Sequence, residues 1–214
     1  MTSANLIFVA TLLLSYLLGS LSGSLIVGRL RGVDIRTQGS GNAGATNALR
    51  TQGTIFAAAT VLIDAGKGAF AALVLAKLCP ERPDAAFACA FYAVLGHCFP
   101  VFFGFRGGKG AGTAFGAMLA LIPFTAMIAI AAWLVSLIST GYVGLSTVIA
   151  ACAAALVVLT IAPLPIPALA YAEATFLLIA LLHHGNIRRL IAGTESRFEK
   201  IRLMKRLFSR QRDI

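Results

Sequence analysis

The chain has 214 residues, of which 58% are hydrophobic and only 12% are charged, and its formal net charge is +10. Soluble domains contain about 45–50% apolar and about 25% charged residues, so a chain this short cannot bury such an apolar excess inside itself. The composition therefore excludes a typical soluble enzyme, a disordered chain and a coiled coil. It predicts an all-α bundle that spans a membrane several times, because lipid-facing residues need not be buried by protein.

The positive charge does not indicate nucleic-acid binding. Between Gly110 and Ile187 the only charged residue is Glu173, whereas a nucleic-acid groove needs many cationic side chains on a solvated face. The four cysteines have no metal-ligand spacing, and we interpret them as small apolar fillers. We expect no nucleic-acid partner and no metal.

Six apolar stretches follow one another along the chain. They cover residues 5–28, 54–78, 85–104, 111–138, 145–162 and 166–182. A helix crosses the hydrocarbon core with about 20 residues, so each of the first three stretches predicts one span. Segments 29–50, 106–109 and 188–212 hold fifteen of the eighteen basic residues. Because cytoplasmic loops carry the excess of Lys and Arg, these segments and the C-terminus are expected in the cytoplasm, with the N-terminus outside.

The fourth apolar stretch, 111–138, would be about 42 Å long as one helix. The chain is predicted to be in the cytoplasm just before this stretch and again by residue 184. It must therefore cross the membrane an even number of times between these two points. We predict that Pro123 divides this stretch into two short helices, so that the bundle has seven transmembrane helices. Five spans with one segment that does not cross is the alternative. Residues 1–196 are predicted to form the membrane domain, and 197–214 a basic cytoplasmic tail along anionic lipid.

Two ionisable residues lie inside an apolar stretch. Asp64 and Lys67 are three residues apart on one predicted helix and can neutralise each other. Intramembrane charges usually indicate pairing or function. We predict a structural ion pair, with lining of a substrate cavity as the alternative.

The first of three polar segments on the predicted cytoplasmic face covers residues 39–50. Its small residues let the backbone approach a ligand closely, and successive backbone N–H groups can form an anion-binding nest. A flexible loop is the alternative. The candidate phosphate-binding residues are Gly41, Asn42, Gly44, Thr46 and Asn47, with Ser40 and Arg50 beside them.

The second polar segment contains Gly107, Gly108, Lys109 and Gly110 just before an apolar stretch. Glycines, a lysine and a helix N-terminus together outline a phosphate site. The segment is not a Walker A loop, because Phe103 stands at the first glycine position and a glycine follows the lysine. A plain tight turn is the alternative.

The third polar segment, 183–195, contains two adjacent histidines at the end of the last apolar stretch. They are candidates for a base, a metal pair or interfacial caps. A metal site is disfavoured, because the chain has three histidines in two places and structural metal sites use three or four ligands.

Together these segments resemble the signatures of the bacterial acyl-phosphate:glycerol-3-phosphate acyltransferases, the PlsY family. The first block reads Gly-Ser-Gly-Asn-x-Gly-Ala-Thr-Asn at 39–47. The second reads Gly-His-x-Phe-Pro-Val at 96–101, followed by Gly-Gly-Lys-Gly at 107–110. The third reads His-x-x-Asn-Ile-x-Arg-Leu-x-x-Gly-x-Glu at 183–195. The three blocks occur in the family's order.

The resemblance implies a seven-span enzyme of the bacterial inner membrane whose active site faces the cytoplasm. Its reaction would transfer a fatty acyl group from acyl phosphate to the sn-1 hydroxyl of glycerol 3-phosphate, which gives lysophosphatidic acid and phosphate in phospholipid synthesis. No cofactor is implied, and an enzyme that forms acyl phosphate is expected upstream. Carried over by position, the catalytic residues are Ser40, Arg50, Lys109, His183 and Asn186, the phosphate ligands include Arg189, and Glu195 is structural. Gly144 stands where the family is expected to have serine.

The implied chemistry needs mainly positioning and stabilisation of charge, because acyl phosphate is a mixed anhydride with a good leaving group. Either His183 or a substrate phosphate is the base for the glycerol hydroxyl. Substrate assistance is favoured, because the sequence reveals no carboxylate to orient His183. A transporter of small anions or phosphate esters is the alternative function, but polar segments on one face and the absence of an inverted repeat argue against it.

Overall fold

In the computed structural model of the protein, which describes residues 2–160 and 164–198, every regular element is helical. The predicted all-α class is therefore confirmed. The α-helices are α1 (Ser3–Gly19), α2 (Gly23–Leu30), α3 (Ala45–Gln52), α4 (Thr54–Leu73), α5 (Ala85–Cys98), α6 (Ala111–Leu121), α7 (Pro123–Thr140), α8 (Val143–Thr160), α9 (Ile166–Leu182) and α10 (His184–Ile191). Most of the predicted tail lies outside the described residues.

Four helices in the described part of the chain are long and apolar enough to cross a membrane. They are Thr54–Leu78, Ala85–Phe103, Pro123–Thr140 and Val143–Thr160. The pairs α1–α2 and α9–α10 are bent by 48° and 52°, and the number of spans rises to six if each pair is one span. Helix α6 is apolar but only 11 residues long. Seven spans and the outward N-terminus therefore stay predictions.

The first apolar stretch, predicted as one continuous span, is broken at residues 20–22. Backbone groups that a helix break leaves free inside a membrane need partners from protein. Here the buried pair on α4 provides them, because Asp64 accepts a hydrogen bond from the Gly23 N–H at 3.0 Å and Lys67 donates to the Leu21 carbonyl at 3.1 Å. The sequence did not predict this break, because its partners lie more than 40 residues away.

Glycines bring neighbouring helices into backbone contact. A Cβ atom at Gly19 would collide with the Ala93 backbone on α5, and one at Gly116 would collide with the Ala65 backbone on α4. Such small-residue contacts are how membrane helices pack in the absence of a hydrophobic driving force. Large apolar side chains face outward instead, as with Leu62, which is 73% exposed.

Helices α6 and α7 form a hairpin that begins after the second polar segment and ends at the α7–α8 turn. Helix α6 ends at Leu121 and α7 begins at Pro123, as the proline predicted. Lys109 bonds the Asn186 side chain, and Gly144 lies against the same side chain. Both ends of the α6–α7 pair therefore lie at the same end of the bundle.

Candidate functional site

The first polar segment is held in shape by a buried asparagine. Asn47, which is 2% exposed, accepts a hydrogen bond from the Ser40 N–H at 3.0 Å and donates to the carbonyls of Ile35 (3.1 Å) and Gln38 (2.9 Å). Both of its amide hydrogens are therefore engaged within the loop. The Asn47 side chain therefore shapes the loop, and the phosphate-binding role of Asn47 stays a prediction.

An arginine ties the first polar segment to the second. The guanidinium of Arg36 donates to the carbonyls of Phe103 at 2.8 Å and Arg106 at 3.2 Å. Asp34 holds this guanidinium at 2.8 Å, and the resulting hydrogen bond lowers the pKa of the Asp34 carboxyl. The two loops that carry Ser40 and Lys109 are therefore fixed relative to each other.

The glycines of the second segment are used for folding. The Gly107 N–H donates to the Cys98 carbonyl and the Gly108 N–H to the His97 carbonyl, each at 3.2 Å. A Cβ atom at Gly108 would collide with the His97 ring. Both N–H groups are thus engaged within the fold and neither residue lines the central cavity, so the phosphate-binding role of Gly107 and Gly108 stays a prediction without a contact that supports it. Their small size lets the loop fold back on α5 and carry Lys109 to α10.

The third segment forms a chain of polar contacts that begins at this lysine. The Lys109 ammonium donates to the Asn186 side-chain oxygen. The Asn186 amide donates to one oxygen of Glu195 at 2.7 Å, and the Arg189 guanidinium donates to the other oxygen at 2.7 Å. Burial, followed by the nearby charge of Arg189, lowers the pKa of Lys109. Glu195 therefore holds both Asn186 and Arg189, and its structural role stays a prediction that these contacts support.

His183 lies at the junction of α9 and α10 and is 5% exposed. Its Nδ1 is 2.8 Å from the Ile179 carbonyl. Since a carbonyl only accepts, Nδ1 carries the hydrogen and Nε2 keeps a lone pair. Burial, helped by the charge of Lys109, lowers the pKa of His183 to about 4, so the ring is neutral at physiological pH.

The α7–α8 turn completes the rim of the site. A Cβ atom at Gly144 would be 2.8 Å from the Asn186 side chain. A serine at this position would therefore displace Asn186, and glycine permits the close approach of α8 and α10. The segment after Glu195 returns to the same turn, where the Phe198 N–H donates to the Gly141 carbonyl at 2.8 Å and Arg197 bonds the Tyr142 hydroxyl at 2.5 Å.

These elements enclose a cavity of about 1060 Å³ that opens between the three polar segments and runs into the bundle between α6, α7, α8 and α9. Its mouth is polar and its inner end is apolar. The predicted site residues at the mouth are Ser40, Gly41, Asn42, Gly44, Thr46, Asn47, Arg50, Lys109, Gly110, His183, Asn186, Arg189 and Glu195. The inner walls include Phe115, Met118, Ala129, Trp133, Ala154, Ala172 and Phe176.

A buried charge network stands beside this cavity. The predicted ion pair is present, with the Lys67 ammonium 2.9 Å from an oxygen of Asp64. A third member, His97, places its Nδ1 3.0 Å from the Lys67 ammonium and 3.3 Å from the Asp64 carboxylate. Both Asp64 and His97 line the cavity. His97 lies in the Gly-His-x-Phe-Pro-Val motif at 96–101, but no role was predicted for it from the sequence, because its partners on α4 are distant along the chain.

The fold and the cavity define a class, a multi-pass membrane protein with a cavity that is polar at its mouth and apolar between its helices. The chain belongs to the glycerol-3-phosphate acyltransferase family, whose model matches residues 9–193, and it is an acyltransferase. A glycerol-3-phosphate acyltransferase of Jannaschia sp. is 44% identical, over 93% of this chain and 96% of its own length. One of Brucella canis is 41% identical, over 90% of this chain and 94% of its own.

Two solved structures are similar over the whole bundle. They are crystal structures of PlsY (YgiH), an integral membrane glycerol 3-phosphate acyltransferase, in its glycerol 3-phosphate and lysophosphatidic acid forms. Each is 36% identical to this chain, and each alignment covers 89% of this chain and 95% of the other. The TM-scores are 0.84 and 0.82. The resemblance derived from the three polar segments is thereby confirmed.

Proposed function

We propose that the protein transfers a fatty acyl group from acyl phosphate to the sn-1 hydroxyl of glycerol 3-phosphate. The observation that carries the proposal is the joining of a cationic mouth and an apolar interior in one cavity. The names of the relatives support glycerol 3-phosphate as acceptor and lysophosphatidic acid as product. Arg50, Lys109 and Arg189 line the mouth, and they suit a donor and an acceptor that each carry a phosphate.

In the proposed reaction the sn-1 oxygen attacks the acyl carbonyl carbon. The bond from that carbon to the phosphate oxygen then breaks, and phosphate leaves with its electron pair. In this proposal the Lys109 ammonium and the Ser40 hydroxyl, which both belong to residues at the mouth, stabilise the oxyanion and the departing phosphate. Asn186 holds Lys109 in position and is itself held by Glu195. This chemistry requires no cofactor.

The hydroxyl proton has two candidate acceptors. One is Nε2 of His183, and the other is a substrate phosphate. A phosphate monoester has a second pKa of about 6, whereas the pKa of His183 is lowered to about 4. Since the group with the higher pKa is the stronger base, these values support substrate assistance. His183 then acts chiefly by hydrogen bonding to a reactant.

We expect His183→Gln to keep the acid limb of the pH profile of kcat. If the substrate phosphate is the base, turnover falls as pH drops through about 6 in both the wild type and the variant, because the phosphate becomes protonated. If His183 is the base, the wild-type limb lies near pH 4, where the imidazole becomes protonated, and the variant loses it. A variant that binds glycerol 3-phosphate normally but has lost turnover and has a flat profile would contradict substrate assistance.

The reaction itself is tested by mass spectrometry of the products. The purified protein is given hexadecanoyl phosphate and glycerol 3-phosphate, with hexadecanoyl-CoA and hexadecanoyl acyl carrier protein as alternative donors. We expect 1-hexadecanoyl-glycerol 3-phosphate and phosphate from the first donor alone. Product from a thioester donor would overturn the proposed donor. No lysophosphatidic acid from any donor would overturn the function, and glycerol 3-phosphate uptake by proteoliposomes would then support the transporter.

We also propose seven spans in the bacterial inner membrane, with the N-terminus outside and the cavity mouth in the cytoplasm. The contacts of Lys109 and Gly144 with Asn186 support an α6–α7 pair that enters and leaves at one side. We expect an upstream enzyme to supply the acyl phosphate donor by coupling phosphate to a fatty acyl group.

Cysteine labelling tests this orientation. Ser139→Cys, exposed in the last turn of α7, is expected to react with an impermeant maleimide only from the cytoplasmic side. Glu81→Cys, in the loop before α5, is the opposite-face control and is expected to react only from outside. The wild-type protein corrects for labelling of the native cysteines. Labelling of Ser139→Cys from outside would instead favour five spans.

A further inference from the structure

We propose that a layer of four small or flexible side chains closes the cavity and limits the length of the acyl chain that the enzyme accepts. The proposal rests on the proposed function, since it assigns the apolar part of the cavity to the donor's chain. The layer, called the cavity floor here, consists of Met118, Ala129, Ala154 and Ala172.

Each member of the cavity floor is the lining residue of its helix that lies farthest from the mouth. On α8 the lining runs from Gly144, beside Asn186, to Ala154. On α9 it runs from His183 back to Ala172. On α6 it ends at Met118, and on α7, which runs toward the mouth, it begins at Ala129. The four residues belong to one buried apolar cluster and therefore close the cavity at one level.

The bundle is filled one turn beyond the cavity floor. Ile122, which directly follows α6, and Ala126, Val158 and Ala168 on α7, α8 and α9 occupy the next inward-facing positions. All four belong to the same cluster and are at most 8% exposed. None of the four lines the cavity. A chain that reaches the floor therefore meets packed side chains and has no room to extend farther.

The depth of the cavity agrees with a membrane lipid chain. The distance along α9 from His183 to Ala172 is about 16 Å at a rise of 1.5 Å per residue. One leaflet contributes about half of a hydrocarbon core that is about 30 Å thick. A chain of ordinary membrane length therefore reaches from the polar mouth to the floor.

Raising the cavity floor tests the proposal. A leucine at position 154 or 172 occupies the space of about two or three methylene groups of the acyl chain. Each methylene group of the donor that can no longer be buried in the cavity weakens donor binding about fourfold. We therefore expect Ala154→Leu and Ala172→Leu to lower the ratio of kcat/KM for hexadecanoyl phosphate to that for dodecanoyl phosphate by about 15- to 60-fold. Turnover of the shorter donor shows that each variant is folded.

Alanine-to-leucine variants on the outer surface of the bundle serve as controls. Ala131 on α7 and Ala170 on α9 are exposed on the outer surface of the bundle. Ala131→Leu and Ala170→Leu make the same chemical change outside the cavity and are expected to leave the ratio unchanged. In the opposite direction, Met118→Ala lowers the floor and is expected to raise the relative turnover of eicosanoyl phosphate over hexadecanoyl phosphate.

The outcomes separate this inference from the function on which it rests. If the wild type acylates glycerol 3-phosphate with both donors but both floor leucine variants keep its ratio within twofold, the cavity floor does not limit chain length and the inference is overturned. Equal loss with both donors overturns it as well. If the wild type forms no lysophosphatidic acid from any acyl phosphate, the proposed function fails first.

Discussion

Replacing Lys109 by methionine is expected to lower kcat by about 10²- to 10³-fold, the usual cost of removing one group that stabilises developing charge. Methionine keeps most of the length of the side chain but removes the ammonium that bonds Asn186 at the cavity mouth. The Asn186 amide remains held by Glu195, so the third segment is expected to stay in place. The measurement is steady-state phosphate release from acyl phosphate at saturating glycerol 3-phosphate.

A lysine outside the site provides the control for this experiment. Lys77 is exposed in the turn after α4 and does not line the cavity. Lys77→Met removes the same charge and is expected to leave kcat unchanged. A Lys109→Met enzyme that keeps at least a third of the wild-type kcat would contradict a role of this ammonium in the chemical step.

Replacing Asp64 by asparagine is expected to destabilise the protein by about 3–5 kcal/mol, because it leaves the Lys67 ammonium buried without a carboxylate. The side chains of Asp64 and Lys67 are only 5% and 3% exposed. Lys67→Met is expected to cost less, since Asp64 then keeps His97 as a neighbour at 3.3 Å. Thermal unfolding in detergent measures both effects. The exposed Arg82–Asp84 pair is the control, and Arg82→Met is expected to change the unfolding midpoint little.

Two double variants separate charge pairing from support of the helix break. Asp64→Asn with Lys67→Gln removes both charges but keeps an acceptor for the Gly23 N–H and a donor for the Leu21 carbonyl. Asp64→Leu with Lys67→Met removes the charges and leaves both backbone groups without these partners. We expect the polar double variant to be the more stable one, since each unsatisfied buried group costs about 1–3 kcal/mol. Equal stability of the two would show that the pair does not sustain the break.

Local features of the site could be predicted from the sequence alone. The composition predicted a membrane protein. The uneven distribution of Lys and Arg predicted that the three polar segments lie on the same side of the membrane. The Asp64–Lys67 pair follows from helix geometry, because residues three apart lie on one face. Pro123 likewise marked the start of α7, since proline favours the first position of a helix. Each of these inferences depends on residues within about one helical turn, or on composition.

Features made by contacts between distant residues had to come from the structure. His97 joins Asp64 and Lys67 because α5 packs on α4, and the N–H groups of Gly107 and Gly108 are occupied because their loop folds back on α5. The sequence could establish the family and the residues at the mouth, since these are contiguous motifs. The hydrogen-bond partners of the loop N–H groups and the depth of the cavity depended on the tertiary structure. Both are set by how the helices pack against one another, and the spacing of residues along one helix does not encode that packing.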